Sequence, residues 1–216
     1  MAVIFDNGFE TGDWTGWTTS SAAGGVLSIQ SGSNPYNGTY CARIYGFTTY
    51  DQAYFNYAFS PRPTDCYVRF YIKPLVRFEN FGWDTLALSG YSGKSMLLRL
   101  TSTGAIKLTT DAVLRGTTTT TLTLNQWNLL QVRWHFADAD SVCEIKIGTE
   151  TLTDTTNIAA TTLNYVRWTG GSHNSAVEGQ EFDCIVADNA EYPGPLVTTK
   201  PSFMLIQDEL WGYGPT

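Results

Sequence analysis

The sequence predicts an all-β fold in which two antiparallel sheets pack into a sandwich. Apolar and polar residues alternate in many short segments, which is the period of half-buried strands. No segment of about a dozen residues combines the 3.6-residue period of an amphipathic helix with capping residues. The predicted strands number well over ten, which is more than an open sheet of usual size holds. Two packed sheets are therefore expected.

The first half of the chain alternates strands with turns. A short strand at 2–5 precedes a loop at 6–17, in which Asn-Gly and Gly-Asp signal turns. The large aromatic residues of this loop, Phe9, Trp14 and Trp17, are expected to anchor it. Further strands are predicted at 26–30, 39–45, 52–59 and 65–73.

The second half is organised around an antiparallel meander at 95–147, whose alternating segments are separated by polar turns. A threonine-rich stretch at 117–121 suits either an edge strand or an extended connection. Strands at 81–89, 162–168 and 181–187 complete the predicted set.

Composition limits the classes of function. The chain has 13 basic and 20 acidic residues, a net charge of −7 and a pI near 4.7. Phosphate binding needs clustered Lys and Arg, so nucleic acid is excluded as a partner. No run approaches the roughly 18 apolar residues of a membrane span, so no membrane association is expected. The first residues lack the features of a signal peptide, so we expect that either the chain has been trimmed or the protein is made and used without Sec export.

Four cysteines are spread along the predicted strands without a C-x-x-C pair: Cys41, Cys66, Cys143 and Cys184. We predict that all four are reduced and buried, because a free cysteine behaves as a small apolar residue. The alternation places Cys184 on the core face together with Phe182 and Val186.

Three segments resemble the concanavalin A-like jelly-roll superfamily in its laminin-G-like form. They are 5–17 (FDNGFETGD followed by Trp17), 125–132 (NQWNLLQV) leading into 144–148 (EIKIG), and 181–188 (EFDCIVAD). The resemblance implies a jelly-roll β-sandwich at 1–192 and a C-terminal extension at 193–216. The superfamily includes lectins, glycosidases, lyases, adhesion modules and bacteriophage virion proteins, so the resemblance does not fix the activity. The closing run through Pro195 resembles the end of laminin-G-like domains in tailed-phage structural proteins.

Glu178, Glu181 and Asp183 are the strongest catalytic candidates. Glu181 and Asp183 lie two residues apart on a predicted strand and share a face, as a retaining glycosidase pair must. The glycosidase branch of the superfamily carries Glu-x-Asp-x-Glu, and here the third acidic position is Ile185. We therefore expect no catalytic residue and a non-enzymatic protein.

The resemblance also suggests a structural Ca²⁺ site, although no cofactor is expected to be required. Related sugar-binding jelly rolls hold Ca²⁺ between the N-terminal loop and the last strand. This chain has Glu10 and Asp183 at those two places, with Asp6 and Asp13 nearby. Carboxylate oxygens at separated positions suit Ca²⁺. Turn capping by Asp6 and Glu10 is the competing interpretation.

Exposed aromatic rings are the candidates for carbohydrate binding, because a flat ring stacks on the apolar face of a sugar. Those near loops or at outward strand positions are Tyr36, Tyr50, Tyr54, Trp83 and Tyr91. Packing in the core or on a sheet face is the competing interpretation for each.

The C-terminal tail is more apolar than a disordered segment would be. Its large apolar residues are Phe203, Met204, Leu205, Ile206, Leu210 and Trp211. They either dock on their own domain or form an assembly arm that binds another subunit. Pro193, Gly194, Pro195 and Pro201 favour a projecting hinge, and therefore the assembly arm.

These observations favour a non-enzymatic virion structural protein of a tailed bacteriophage, as a head-decoration or tail-associated subunit. It would be made in the host cytoplasm and would bind other virion proteins or further copies of itself. The alternative is an extracellular carbohydrate-binding module, free-standing or part of a secreted glycan-degrading enzyme. A polysaccharide lyase or glycosidase is the third hypothesis.

Overall fold

The protein is described by a computed structural model at residues 3–21, 25–32, 34–45, 53–75, 83–90, 95–135, 140–156, 162–169 and 179–195, with the backbone alone at 20–21 and 83–90. Every regular element in these ranges is a β-strand. Within the same ranges there is no helix that is long and apolar enough to cross a membrane.

Fifteen strands run through the described ranges. They are β1 (Val3–Asn7), β2 (Thr18–Ser21), β3 (Val26–Ser31), β4 (Tyr40–Tyr45), β5 (Ala53–Ala58), β6 (Asp65–Pro74), β7 (Trp83–Gly90), β8 (Ser95–Leu100), β9 (Ala105–Thr110), β10 (Val113–Thr121), β11 (Asn128–His135), β12 (Val142–Ile147), β13 (Glu150–Asp154), β14 (Leu163–Thr169) and β15 (Gly179–Asp188).

The strands form two antiparallel sheets, as predicted. The front sheet has eight strands in the order β13-β12-β11-β6-β15-β4-β3, with β1 paired to β15. The back sheet has seven strands in the order β10-β9-β8-β7-β14-β5-β2. The last described strand, β15, lies between β4 and β6 in the middle of the front sheet. The predicted all-β jelly-roll sandwich is confirmed.

The core lies between the two sheets and is rich in aromatic rings. Phe55 of β5 stacks on Trp168 of β14 at a centroid distance of 5.4 Å, and both side chains are fully buried. Phe182 of β15 meets Phe55 edge-on from the front sheet at 5.6 Å. Trp17 meets Phe55 at 5.0 Å and stacks on the buried Phe9. The aromatic residues of the N-terminal loop therefore anchor it, as predicted.

A bulge in β15 changes which of its side chains face the core. The pairing of β15 with β6 shifts register between Asp183 and Val186, and Cys184 adopts a φ of 50°. Ile185 joins Phe182 in the core, whereas Cys184 and Val186 lie outside the core cluster. The prediction that Cys184 and Val186 share the core face with Phe182 is wrong, because a bulge inserts an unpaired residue and reverses the alternation after it.

All four cysteines are free and buried, as predicted. Cys66 and Cys143 belong to the core cluster, and Cys41 does not. Burial raises the pKa of the Cys66 and Cys143 thiols far above the ordinary value. These thiols therefore act as apolar filler.

The segment after β15, residues 189–195, lies across the outer surface of the front sheet. Tyr192 meets Tyr67 of β6 edge-on at 5.0 Å and donates a hydrogen bond to Glu144 of β12. The carbonyl oxygens of the two residues after Tyr192 accept hydrogen bonds from Gln131 and Arg69. We call residues 192–195 the strap.

The position of the strap corrects the expected hinge. Pro193 and Gly194 are hydrogen-bonded to the front sheet of their own domain rather than projecting from it. The candidate assembly arm, with Phe203, Met204, Leu205, Ile206, Leu210 and Trp211, lies outside the described residues.

Candidate functional site

A row of charged side chains crosses the outer surface of the front sheet, which faces away from the core. Register places Glu181 of β15 between Arg43 of β4 and Lys73 of β6. Lys73 Nζ lies 2.9 Å from Glu181 Oε2, and the Glu181 side chain is only 2% exposed. The Arg43 guanidinium lies over the Tyr45 ring at 5.1 Å. Charge pairing and ring contacts therefore hold this row in place.

Three aromatic residues, Tyr36, Tyr71 and Trp127, form what we call the aromatic cluster beside this row. Tyr36 stacks on Tyr71 with ring centroids 3.5 Å apart, and Trp127 meets Tyr36 edge-on at 6.4 Å. The Trp127 indole donates a hydrogen bond to the Asn34 carbonyl at 2.9 Å. Lys73 Nζ lies 5.6 Å from the Trp127 ring centroid. The half-buried Trp127 ring is thus fixed in orientation without being enclosed.

Two acidic residues hold the β3–β4 loop, and therefore Tyr36, over the sheet. Glu10 of the N-terminal loop accepts hydrogen bonds from the backbone N–H groups of Thr39 and Tyr40, at 2.9 and 3.1 Å. Asp183 of β15 accepts one from the Asn37 N–H at 3.1 Å. Elements from both ends of the chain therefore fix the loop that supplies one wall of the aromatic cluster.

A cavity of about 280 Å³ opens next to the aromatic cluster. Its lining comes from β10, β11, β12 and the turn after β12: Thr120, Thr121, Asn128, Leu129, Gln131, Lys146, Ile147 and Gly148. Leu129 lies opposite Tyr71 in the β11–β6 register, so the cavity and the cluster share one sheet surface. The strap borders the cavity, because Gln131 donates to the Pro193 carbonyl at 2.9 Å. We call this cavity the groove.

The carboxylates considered for catalysis are engaged by their own chain. Glu181 is paired with Lys73, and Asp183 accepts the N–H groups of Asn37 and Cys184. Burial raises the pKa of Asp183 to about 6, and the negative charge of Glu10 adds to this effect. Glu178 lies outside the described residues. The position that is acidic in the glycosidase motif, Ile185, faces the core.

The structure brings together two of the predicted calcium ligands. A Cβ on Gly8 would lie 3.7 Å from Glu10 Cγ and 3.8 Å from Asp183 Oδ1, so both carboxyl side chains flank this glycine. Asp6 is exposed on β1, opposite Val186. In the part of the chain that the structure describes, no three His, Cys, Asp or Glu side chains form a metal-binding group. The predicted Ca²⁺ site stays a prediction.

The residues predicted for carbohydrate binding do not form one site. Tyr36 belongs to the aromatic cluster on the front sheet. Tyr54 lies on the opposite surface of the protein, on β5 of the back sheet, where Arg167 stacks on its ring. Trp83 begins β7 of the back sheet, while Tyr50 and Tyr91 lie outside the described residues.

Sequence reasoning did not select Tyr71, Lys73 or Trp127 as candidates. The alternation on β6 does place Tyr71 and Lys73 on the outward face, which was an available signal. The contact of Trp127 with the β3–β4 loop joins residues 93 positions apart, and no local pattern predicts it.

Solved structures of similar fold support the sandwich assignment. "Cellulose induced protein, Cip1" is 16% identical over 88% of this chain and 100% of its own, with a TM-score of 0.67. Domain 4 of the extracellular arabinanase AbnA from Geobacillus stearothermophilus, in complex with arabinotriose, is 12% identical over 86% of this chain and 91% of its own, with a TM-score of 0.54. The CBM2 module of the evolved Dit protein of Lactobacillus casei BL23 phage J-1 is 10% identical over 88% of this chain and 97% of its own, with a TM-score of 0.55. No protein-family model and no curated protein sequence matches the chain. Because these sequence identities are all 16% or lower, the similarity to the three structures shows only the fold.

The loop that carries Tyr36 yields a stability prediction. Gly38 has a φ of 71°, and a Cβ there would overlap the Glu10 carboxylate. Gly38→Ala therefore displaces Glu10 from the N–H groups of Thr39 and Tyr40, in addition to the strain of a positive φ. We expect a loss in the free energy of unfolding of about 2–4 kcal/mol, measured by urea denaturation.

Gly148→Ala is the matched control, because Gly148 has a φ of 59° and nothing within 4 Å of an added Cβ. Its expected loss is about 1–2 kcal/mol, from backbone strain alone. Equal losses in the two variants would show that Glu10 does not hold the loop.

Proposed function

We propose that the protein is a non-catalytic carbohydrate-binding module that takes a neutral glycan chain on the outer surface of its front sheet. The observation that carries this proposal is the fixed aromatic cluster beside the groove. A half-buried indole offers a flat apolar surface for the C–H face of a sugar ring. A rigid ring also loses little conformational entropy when the ligand binds.

The polar lining of the groove supplies what the sugar hydroxyl groups need. Thr120 and Thr121 contribute hydroxyl groups, and Lys146 contributes an ammonium group. Lys146 lies 3.5 Å from the Glu144 carboxylate, so the groove has little net charge to attract an acidic sugar. A few polar groups around an apolar surface are typical of small-ligand sites.

Two of the similar structures support this interpretation. One similar structure is described as a complex with arabinotriose, and another as a CBM2 module. A carbohydrate-binding role for this chain is our proposal, and so is the absence of catalysis. The latter rests on the pairing of Glu181 and the backbone contacts of Asp183.

The test is retention by soluble neutral polysaccharides, such as xylan, arabinan and β-glucan, in affinity gel electrophoresis. Trp127→Ala removes the stacking surface and should weaken binding of the retaining polysaccharide by about tenfold or more. Trp127→Phe keeps a flat ring but loses the hydrogen bond to Asn34, so we expect it to retain part of the affinity.

Leu114→Ala is the control, because Leu114 is exposed on β10 of the back sheet, away from the groove. It should bind like the unaltered protein. A retained polysaccharide whose binding is unchanged in Trp127→Ala would refute the front-sheet site. If none of the glycans tested retains the protein, the proposed function is refuted.

We also propose that Ca²⁺ binds between Glu10 and Asp183 as a structural ion. Glu10 Oε1, Glu10 Oε2 and Asp183 Oδ2 each accept one backbone hydrogen bond and keep a free lone pair, whereas Asp183 Oδ1 accepts from both the N–H and the S–H of Cys184. Ca²⁺ accepts carbonyl oxygens as its remaining ligands. A cation would also offset the repulsion between the two carboxylates, which contributes to the raised pKa of Asp183.

Calcium should therefore raise the thermal midpoint of EDTA-treated protein, because a ligand that binds only the folded state stabilises it. Asp183→Asn and Glu10→Gln should remove this response. Asp13→Asn changes a loop carboxylate that caps Thr15 instead, and it should keep the response. An identical midpoint in EDTA and in millimolar Ca²⁺ would refute the site.

A tailed-phage virion subunit is the second candidate. It is favoured by the likeness to a phage Dit module and by the apolar C-terminal segment from Phe203 to Trp211. In this reading the jelly-roll domain is displayed on the particle, and the segment after the strap binds a neighbouring subunit.

Deletion of residues 196–216 tests this candidate. If the segment is an assembly arm, the truncated protein should keep its thermal midpoint and be absent from purified particles, as measured by mass spectrometry. A midpoint several degrees lower with normal incorporation would show that the segment belongs to its own domain.

A further inference from the structure

Charge is divided unequally between the two sheets. The strands of the front sheet carry more acids than bases: Asp6, Asp65, Glu144, Glu150, Asp154, Glu181, Asp183 and Asp188 against Arg43, Arg69, Lys73, Arg133 and Lys146. The strands of the back sheet carry the acid Asp84 against Arg99, Lys107, Arg115 and Arg167. In a protein with a net charge of −7, the back sheet is therefore locally basic.

Three of these basic residues point away from the core. Arg167 lies between the buried Val166 and Trp168 on β14, so its side chain is on the outer surface of the back sheet. Arg99 of β8 and Lys107 of β9 are directly opposite each other on the same surface. Arg115 is different, because it is paired with Asp154 of the front sheet at 3.3 Å.

Arg167 is held between two tyrosine rings. Its guanidinium carbon lies 3.7 Å from the ring centroid of Tyr54 and 4.7 Å from that of Tyr165. All three side chains are half-buried. We call these three residues the arginine clamp. Stacking on two rings fixes the plane of the guanidinium and leaves its N–H groups as the part available for binding.

The clamp has no anionic partner among the residues that the structure describes. Within those residues the Arg167 side chain makes no hydrogen bond or ion pair, and its Nε is buried without an acceptor. Asn56, only 8% exposed, lies opposite Arg167 in the β5–β14 register and offers an amide beside the guanidinium. An oriented, half-buried cation without a counter-charge is an unusual feature on an acidic protein, because a guanidinium group that is partly removed from water is normally paired.

We propose that the outer surface of the back sheet binds an acidic polysaccharide, with a carboxylate or sulfate group of the glycan accepting two hydrogen bonds from the arginine clamp. Planar guanidinium matches the two oxygens of such a group. The tyrosine rings and the Asn56 amide supply the apolar and hydroxyl-binding contacts that a sugar ring needs around its charged substituent. Lys107 extends the basic surface along the back sheet, where a further acidic group of the same glycan would lie.

A polysaccharide fits better than nucleic acid. The outward cations of the back sheet are few, whereas nucleic-acid binding needs dense Lys and Arg clusters. This surface is separate from the groove on the front sheet, so the inference goes beyond the proposed function.

The experiment measures binding of the full chain to polygalacturonate and to dextran sulfate by affinity gel electrophoresis, with neutral dextran as the uncharged reference. We expect retention by one of the acidic polymers, weakening with added salt, and none by dextran. Arg167→Gln should reduce that affinity roughly tenfold or more, because a charge-assisted contact is lost. The two acidic polymers distinguish a carboxylate ligand from a sulfate ligand.

Arg133→Gln is the matched control. Arg133 also stacks on a tyrosine, with its guanidinium 5.2 Å from the Tyr67 ring, but it lies on the front sheet. Both variants change the net charge equally, so an equal loss in both would show a general charge effect and overturn the proposal. Unchanged binding in Arg167→Gln, retention by neither acidic polymer, or stronger retention by single-stranded DNA would also overturn it.

If Arg167→Gln does not fold, Lys107→Gln reports on the same surface. Lys107 makes no ring contact within the described ranges, so its loss should leave the fold intact and reduce the affinity a few-fold. An unchanged affinity in that variant would then overturn the proposal. The Arg167 experiment and the Trp127 experiment use different residues and different classes of glycan. The back-sheet proposal and the proposed function can therefore fail independently of each other.

Discussion

Three buried carboxylates on β15 determine how the front face is covered. Glu181, Asp183 and Asp188 are each at most 1% exposed, and an ionised carboxylate at such depth is costly unless it is paired. Each one is satisfied by a different part of the chain. Lys73 pairs with Glu181, the β3–β4 loop donates to Asp183, and the turn after β15 donates to Asp188. The need to pair these charges therefore places the elements that build the candidate site.

Local sequence patterns predicted most strands but not their register. The alternation at 65–73 and 142–147 gave β6 and β12 within one residue, because both strands have one buried and one outer face. The short polar strands β2 and β13 were not predicted, since pairing with β5 and β12 rather than any apolar pattern creates them. The threonine-rich stretch became β10, an edge strand, which is one of the two interpretations considered.

The candidate site was less predictable because its contacts are distant in sequence. Tyr36 was selected because it lies near a loop. Its place in the candidate site depends on stacking with Tyr71, and nothing near Tyr36 in the sequence indicates that partner. The Asp183–Asn37 hydrogen bond joins positions 146 residues apart. Cys184 shows that the same limit applies within one strand. The bulge leaves one residue of β15 unpaired and reverses the alternation after it, and its position is set by the pairing of β15 with β6.

The groove is a product of the completed fold rather than of any one hairpin. Thr120 and Thr121 come from β10 of the back sheet, Leu129 and Lys146 from β11 and β12, and the bordering strap from the end of the described chain. The strap follows β15 along the chain, so its position beside the groove depends on β15 lying between β4 and β6. In that place Glu181 pairs with Lys73, and Asp183 accepts a hydrogen bond from the loop that carries Tyr36. Under the proposed function, glycan recognition on this face therefore depends on the charges beneath it as much as on the rings that would contact the sugar.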